Sequence, residues 1–183
     1  MFVISCHSDT GFPSHRLEKL PGREFRGHLD NFAGVYAVMK AYFSGRMNGP
    51  GVRVELTYGE EVGCLGARKL LATLSPDDLV MVVDVTGTVT AKDFTIEKCP
   101  AELHTMLRQC LAGMSYELHE GCPDPISDAD EADIYVQKCP RTFFLGVPVQ
   151  GGDYNAGEVR CRQASIDAAA EAICRIAAAN TAR

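Results

Sequence analysis

The sequence predicts an α/β protein with three layers, α/β/α, in which helices cover both faces of a mostly parallel central sheet. Short apolar runs rich in β-branched residues alternate with longer segments whose apolar residues recur at helical spacing, the pattern of strand–helix–strand units. Leu79-Val-Met-Val-Val-Asp84-Val is an almost unbroken apolar run, as expected of a central parallel strand buried on both faces. The 183 residues suit one domain (1–183) with one core, and an apolar share of 46% with 23% charged is ordinary for a globular chain.

Taken in order, Phe2-Val-Ile-Ser-Cys6 reads as a buried strand that ends at His7-Ser-Asp9. Residues 12–28 hold two prolines, two glycines and many charges and read as a surface loop, with His15 and His28 facing solvent. Asp30 or Asn31 can cap a helix running to about Phe43, whose buried stripe is expected to be Phe32, Val35, Tyr36, Met39 and Phe43. After a glycine-rich loop over 44–51, Val52, Val54 and Leu56 mark a strand that stops at Tyr58-Gly59. Glu60 and Glu61 follow, then a glycine turn and a helix from about Leu65 to Leu74, broken by Ser75-Pro.

Beyond the run at 79–85, residues 86–98 suggest a further strand or hairpin and Ala101–Gly113 a helix, with a short strand at Tyr116–His119. The acidic segment from Pro123 to Asp133 reads as a solvated loop leading into a short helix, since its aspartates lack the spacing of a calcium loop. Thr142–Val149 is a buried strand, 151–158 a loop, and Arg162 to about Ala179 a helix with Ile166, Ala170, Ile173 and Ile176 towards the core.

A net charge of −6 and a pI near 5.3 argue against a nucleic-acid partner, whose backbone favours a basic face. No apolar run has the length of a membrane span, and Met-Phe-Val-Ile-Ser-Cys lacks the basic start of a signal peptide, so the expected compartment is the cytoplasm. Eight scattered cysteines without a Cys-x-x-Cys pair are expected to be reduced thiols.

The chemistry gathers at element ends. His7 closes a strand with Asp9 two positions on, where a carboxylate can hold the second imidazole nitrogen. Asp30 sits at a loop-to-helix junction, where it either caps the helix or serves as a carboxylate shared by two metal ions. Glu60 and Glu61 lie at the carboxyl end of a strand, where open α/β sheets bind ligands. Asp84 ends a buried run, and a carboxylate there needs a metal, a cation or several donors. One imidazole with several carboxylates suits zinc, manganese or cobalt, and a spare carboxylate can act as the base in metal-assisted hydrolysis.

These segments resemble the co-catalytic zinc aminopeptidases and their relatives, the leucyl, glutamyl and tetrahedral aminopeptidases with the related carboxypeptidases and deacylases. The resemblance rests on four motifs in order: His7-Ser-Asp9; Leu29-Asp30-Asn-Phe-Ala-Gly34; Thr57-Tyr-Gly-Glu60-Glu61-Val-Gly-Cys-Leu-Gly-Ala67; and Val83-Asp84-Val-Thr86. It covers roughly residues 1–160 and implies the zinc-peptidase architecture. It also implies that His7 and Asp84 bind one metal, Asp30 bridges two, and Glu61 binds the second. Glu60 is then the general base and Asp9 orients His7. The implied substrate is a small peptide or an N-acyl amino acid.

The sequence departs from that pattern in two places. The family's fifth ligand is a histidine in the loop after the last strand, whereas this chain has no histidine beyond His119. Asn155 stands in that position, or Tyr154 in the alternative register, so one or two ions are expected. Only 22 residues separate His7 from Asp30, leaving no room for an inserted lid or dimerisation domain, so any assembly must use the surface of the core. The alternative reading is an impaired peptidase-like protein that works as a binding or structural module.

Overall fold

The computed structural model describes residues 1–14, 16–47, 49–127 and 129–181; the expectation for His15 lies outside them. Strands β1 (Phe2–His7), β4 (Val52–Thr57), β5 (Leu79–Thr86) and β8 (Thr142–Gln150) form the centre of the sheet. They are mutually parallel in the order β8-β5-β1-β4. Antiparallel strands extend the β8 side through β9 (Val159–Arg162), β3 (Glu24–Gly27) and β2 (Leu17–Leu20). Off this path, β6 (Phe94–Glu97) runs antiparallel to β8 and carries β7 (Tyr116–Leu118) as a parallel neighbour.

Strands β1, β5 and β8 are buried on both faces, whereas β4 at the end of the order is half-buried, and alternation sorts the side chains into two cores. Ile4, Met81 and Val83 pack against α1 (Phe32–Phe43) and α5 (Gln163–Thr181), while Val3, Val80 and Val82 pack against α2 (Leu65–Leu71) and α4 (Glu131–Tyr135). A 3-10 turn at Ala101–Leu103 leads into α3 (His104–Cys110) in place of one continuous helix. Among the described residues no disulfide is present, and no helix is long and apolar enough to cross a membrane.

Several expectations are corrected. Part of the loop read over 12–28 is the β2–β3 hairpin, which turns at Gly22 and Arg23, both at positive φ. Its outer strand, Leu-Glu-Lys-Leu, is largely exposed and so shows no apolar face to read. His28 is half-buried and stacks on Phe12 at 3.9 Å. Strand β9, Val-Arg-Cys-Arg, is a short period-2 segment hidden by the helix that begins directly after it.

In α1 the buried face is Ala33, Gly34, Ala37, Val38 and Ala41, with Phe43 76% exposed. Small residues let α1 lie close to α5 and the sheet, and its aromatic residues fall on the flank, where Phe32 and Tyr36 meet Phe25. The acidic segment is also not simply solvated, because Asp124, Asp130 and Glu131 are buried. Asp124 accepts from the Gly87 and Ile126 amides, and Asp130 caps α4 and pairs with Lys98 at 3.0 Å.

Candidate metal centre

Three adjacent parallel strands end on one cleft. The β1–β4 register sets His7 beside Thr57, and the β1–β5 register, continued from Ser5 and Val82, brings His7 alongside Asp84. His7 Nε2 lies 3.1 Å from Asp84 Oδ2 and 3.1 Å from Asp30 Oδ1. Its other ring nitrogen, Nδ1, faces Asp9 Oδ1 at 3.5 Å. His7, Asp30 and Asp84 are all buried.

Asn31, not Asp30, is the helix cap. Its Oδ1 accepts the Gly34 amide at 3.0 Å, and its Nδ2 donates to the Val83 carbonyl at 2.9 Å. Those two bonds tie the start of α1 to β5. The peptide between Asp30 and Asn31 is cis, and the Asp30 carboxylate faces the imidazole.

The electrostatics favour a cation. Burial lowers the proton affinity of the imidazole, but the Asp84 and Asp30 carboxylates more than reverse that and raise it. Burial also lifts Asp84, with His7 opposing, so the two groups compete for one proton. Glu60 is raised to about 7, chiefly by burial, with His7 opposing and Asp30, Glu61 and Glu131 adding to the rise. Glu61 is raised by its partial burial and by Asp30.

One imidazole nitrogen and two carboxylate oxygens converge here, with ligand atoms within 4.8 Å of one another. Among the described residues Asp30 Oδ1, on the Nε2 side of the ring, is buried without a hydrogen-bond partner. Buried polar atoms are ordinarily satisfied, so an orphaned atom inside an acidic cluster is what a bound divalent cation would account for. The donor set therefore fits a metal ion.

Glu60 and Glu61 occupy the turn between β4 and α2 and can join His7 in a second grouping, which would draw on the same imidazole. Glu61 Oε1 accepts the Gly11 amide at 2.8 Å. A Cβ at Gly11 would lie 2.9 Å from Glu61 Oε2, so a larger residue there would have to displace the Glu61 carboxylate.

The cleft, about 450 Å³, is lined by Asp30, Glu60, Glu61 and Asp84 together with Val85, Ile126, Phe144 and Tyr154. Asn155 stands exposed at its edge, with its backbone amide bonded to Asp153 Oδ1 at 2.9 Å. Tyr154 is the buried residue of this loop, and its hydroxyl donates to Asp124 Oδ2 at 2.8 Å. Asp124 and the fully buried Glu131, which accepts from Ser5 Oγ at 2.8 Å, flank the site although the sequence pattern assigns them to a solvated segment. Their sequence context does not separate them from the exposed acids beside them.

This architecture is that of known aminopeptidases. The Pyrococcus horikoshii TET1 peptidase, described as assembling into a tetrahedron or a large octahedral shell, matches with a TM-score of 0.71 and 18% identity over 89% of this chain and 52% of its own. A TET aminopeptidase from a Thaumarchaeota archaeon matches at 0.69 and 17%, over 88% and 51%. The M18-family aminopeptidase of Thermotoga maritima matches at 0.65 and 13%, over 90% and 48%. The chain thus spans about half the length of these neighbours and shares their fold. No family model matches the chain, and neither does any curated protein.

Proposed function

We propose that this chain is a metal-dependent hydrolase of peptide or amide bonds, of the aminopeptidase or deacylase kind. The observation that carries the reading is Glu60, a half-buried carboxyl raised to about 7 that lines the cleft with Asp30 and Asp84 and lies beside His7. A proton acceptor working near neutral pH needs such a value. The fold shared with aminopeptidases supports the same class.

His7, Asp30 and Asp84 would hold one divalent cation, zinc by donor type with manganese or cobalt as alternatives. When bound, such an ion polarises the scissile carbonyl and makes water acidic enough to react near neutral pH. Asp9, whose Oδ1 lies 3.5 Å from His7 Nδ1, would orient the ring with Nε2 towards the two aspartates. Glu60 accepts the proton of the attacking water as the new carbon–oxygen bond forms, and returns it to the leaving amine as the carbon–nitrogen bond breaks. Val85, Ile126 and Phe144 offer an apolar wall to a substrate side chain. The many carboxylates in the lining favour a substrate with a protonated amino group, which a small peptide carries at its N-terminus and an N-acyl amino acid lacks.

One observation favours the second reading, a peptidase-like binding module. Asn155 is exposed at the cleft edge and the Tyr154 hydroxyl is committed to Asp124, which supports incomplete ligation of a second ion. The two readings separate by measuring metal content per chain after equilibration with zinc or manganese, then assaying aminopeptidase substrates. Bound metal with turnover that Glu60→Gln abolishes supports the hydrolase. Bound metal without turnover supports the module, and no metal uptake at millimolar concentration removes the hydrolase reading.

A further inference from the structure

Glu131 is the first residue of α4 and is completely buried. Its neighbours fix the start of that helix. Asp130 accepts the Ala132 amide at 2.7 Å, and Asp133 accepts the Asp130 amide at 3.1 Å. Lys98 pairs with Asp130 at 3.0 Å and with Asp133 at 2.7 Å, and is committed to them. Glu131 turns instead to the sheet, where Ser5 donates to its Oε2 at 2.8 Å. The Tyr135 hydroxyl lies 2.8 Å from Ser5 Oγ and, since the Ser5 proton goes to Glu131, is the donor there. Glu131 Oε1 is buried with no hydrogen-bond partner among the described residues, and so is the Thr57 hydroxyl.

This carboxylate borders the metal centre without being one of its ligands. Ser5 and His7 point to the same face of β1, and Thr57 is the partner of His7 in the β1–β4 register. Asp84 is in phase with Val80 and Val82, which pack against α2 and α4. Ala129 and Asp130, immediately before Glu131, line the cleft. Burial raises the proton affinity of Glu131, the Thr57 and Ser5 hydroxyls and His7 favour its charged form, and Asp130 adds to the rise. Thr57 is thus near the carboxylate, although its hydroxyl closes no hydrogen bond of ordinary geometry. A buried carboxylate needs a balancing charge, and no lysine or arginine among the described residues pairs with this one. Atoms of this chain enclose it completely, and the positive charge that it faces is the one at the metal centre.

We propose that Glu131 is a charge-balancing residue of the metal centre: it does not touch the ion, but its buried carboxylate raises the affinity of the His7, Asp30 and Asp84 site for a divalent cation. A charge in a water-excluded interior is screened far less than one at the surface, so it acts without contact. The inference rests on the proposal that those three residues hold a cation.

Glu131→Gln separates charge from shape. The amide oxygen can still accept from Ser5, and the amide nitrogen in the place of Oε1 can donate to the Thr57 hydroxyl. In urea unfolding the metal-free variant is therefore expected to be at least as stable as wild type, because a satisfied amide replaces a buried charge. Its zinc affinity, measured against a competing chelator, is expected to fall by about 10–100-fold at unchanged stoichiometry. Glu131→Asp keeps the charge but shortens the reach to Ser5. It should be the less stable of the two variants and yet bind zinc more tightly than Glu131→Gln. A role in packing alone would rank both properties alike. Wild-type zinc affinity in Glu131→Gln, or affinities that follow stability across the two variants, would overturn the proposal and leave the metal centre standing. A wild type that takes up no zinc at millimolar concentration would instead remove the metal centre, and this role with it.

Discussion

Tyr154 donates its hydroxyl hydrogen bond to Asp124 across 2.8 Å, pinning the loop after β8 to the segment that follows β7. The bond fills one side of the cleft with a neutral phenol, whose proton is held more firmly than usual by burial and by the adjacent Asp124 carboxylate. An imidazole in its place would add a neutral nitrogen ligand to the cleft lining. The wild type is therefore expected to bind about one divalent ion per chain, and Tyr154→His about two. Metal analysis after dialysis, with cobalt absorption spectra of both proteins, checks this. A variant that stays at the wild-type stoichiometry would mean that this loop does not border the second position.

Removing the proposed base should separate binding from chemistry. Glu60→Gln is expected to lower kcat by about 10²–10⁴-fold, the usual contribution of a positioned base, with metal content unchanged. Because the carboxylate form is the active one, the wild-type rate should rise with pH through a limb at or below about 7, since a cation beside Glu60 can only lower its value. A limb clearly above 7, or one that persists in Glu60→Gln, would assign the acid limb to another group.

Asp9 touches His7 on the nitrogen away from the other two carboxylates, so its effect on metal binding passes through the ring. Asp9→Asn is expected to weaken the cation by about 10–100-fold, as loss of such partners usually does, while leaving the ligand count the same. Titration calorimetry with zinc against a competing chelator measures it. An unchanged affinity would show that burial alone orients the imidazole.

What the sequence made legible follows from how directly each residue's position depends on neighbours in the chain. The run ending at Asp84 could be read because a strand buried on both faces must be apolar throughout, and Val80 and Val82 do face one core while Met81 and Val83 face the other. His7, Asp30, Glu60 and Glu61 could be placed at element ends; β4, β1 and β5 are neighbours with a fixed register, and Asn31 ties the start of α1, with Asp30, to β5. That Asn31 and not Asp30 caps α1 was not legible, since either side chain can make the bond and the choice is set by contact with Val83. Nor was the burial of Asp124, whose partners Gly87 and Tyr154 come from distant segments. Tyr154 and Asn155 are adjacent in sequence, and only the path of the loop decides which of them turns inward.

Glu97 offers a test of stability rather than activity. It is almost fully buried, and its Oε1 accepts from Thr86, Thr88 and Thr95 at 2.9, 3.1 and 2.6 Å. Burial raises its pKa, and the three hydroxyls only partly offset that. An acid raised in the folded state binds its proton more tightly there than in the unfolded chain, so its contribution favours folding at low pH and is lost as pH rises through the folded value. A comparison at one pH would mix that contribution with any change in packing, so the informative quantity is the difference between wild type and Glu97→Gln as pH changes. That difference should move in favour of Glu97→Gln between about pH 5 and pH 8, because the variant keeps an oxygen for the three hydroxyls and carries no buried charge. Urea unfolding of both proteins at the two pH values measures it. A difference that stays constant with pH would mean that Glu97 has the same pKa folded and unfolded, and that its three hydroxyl partners fully replace the water it gave up.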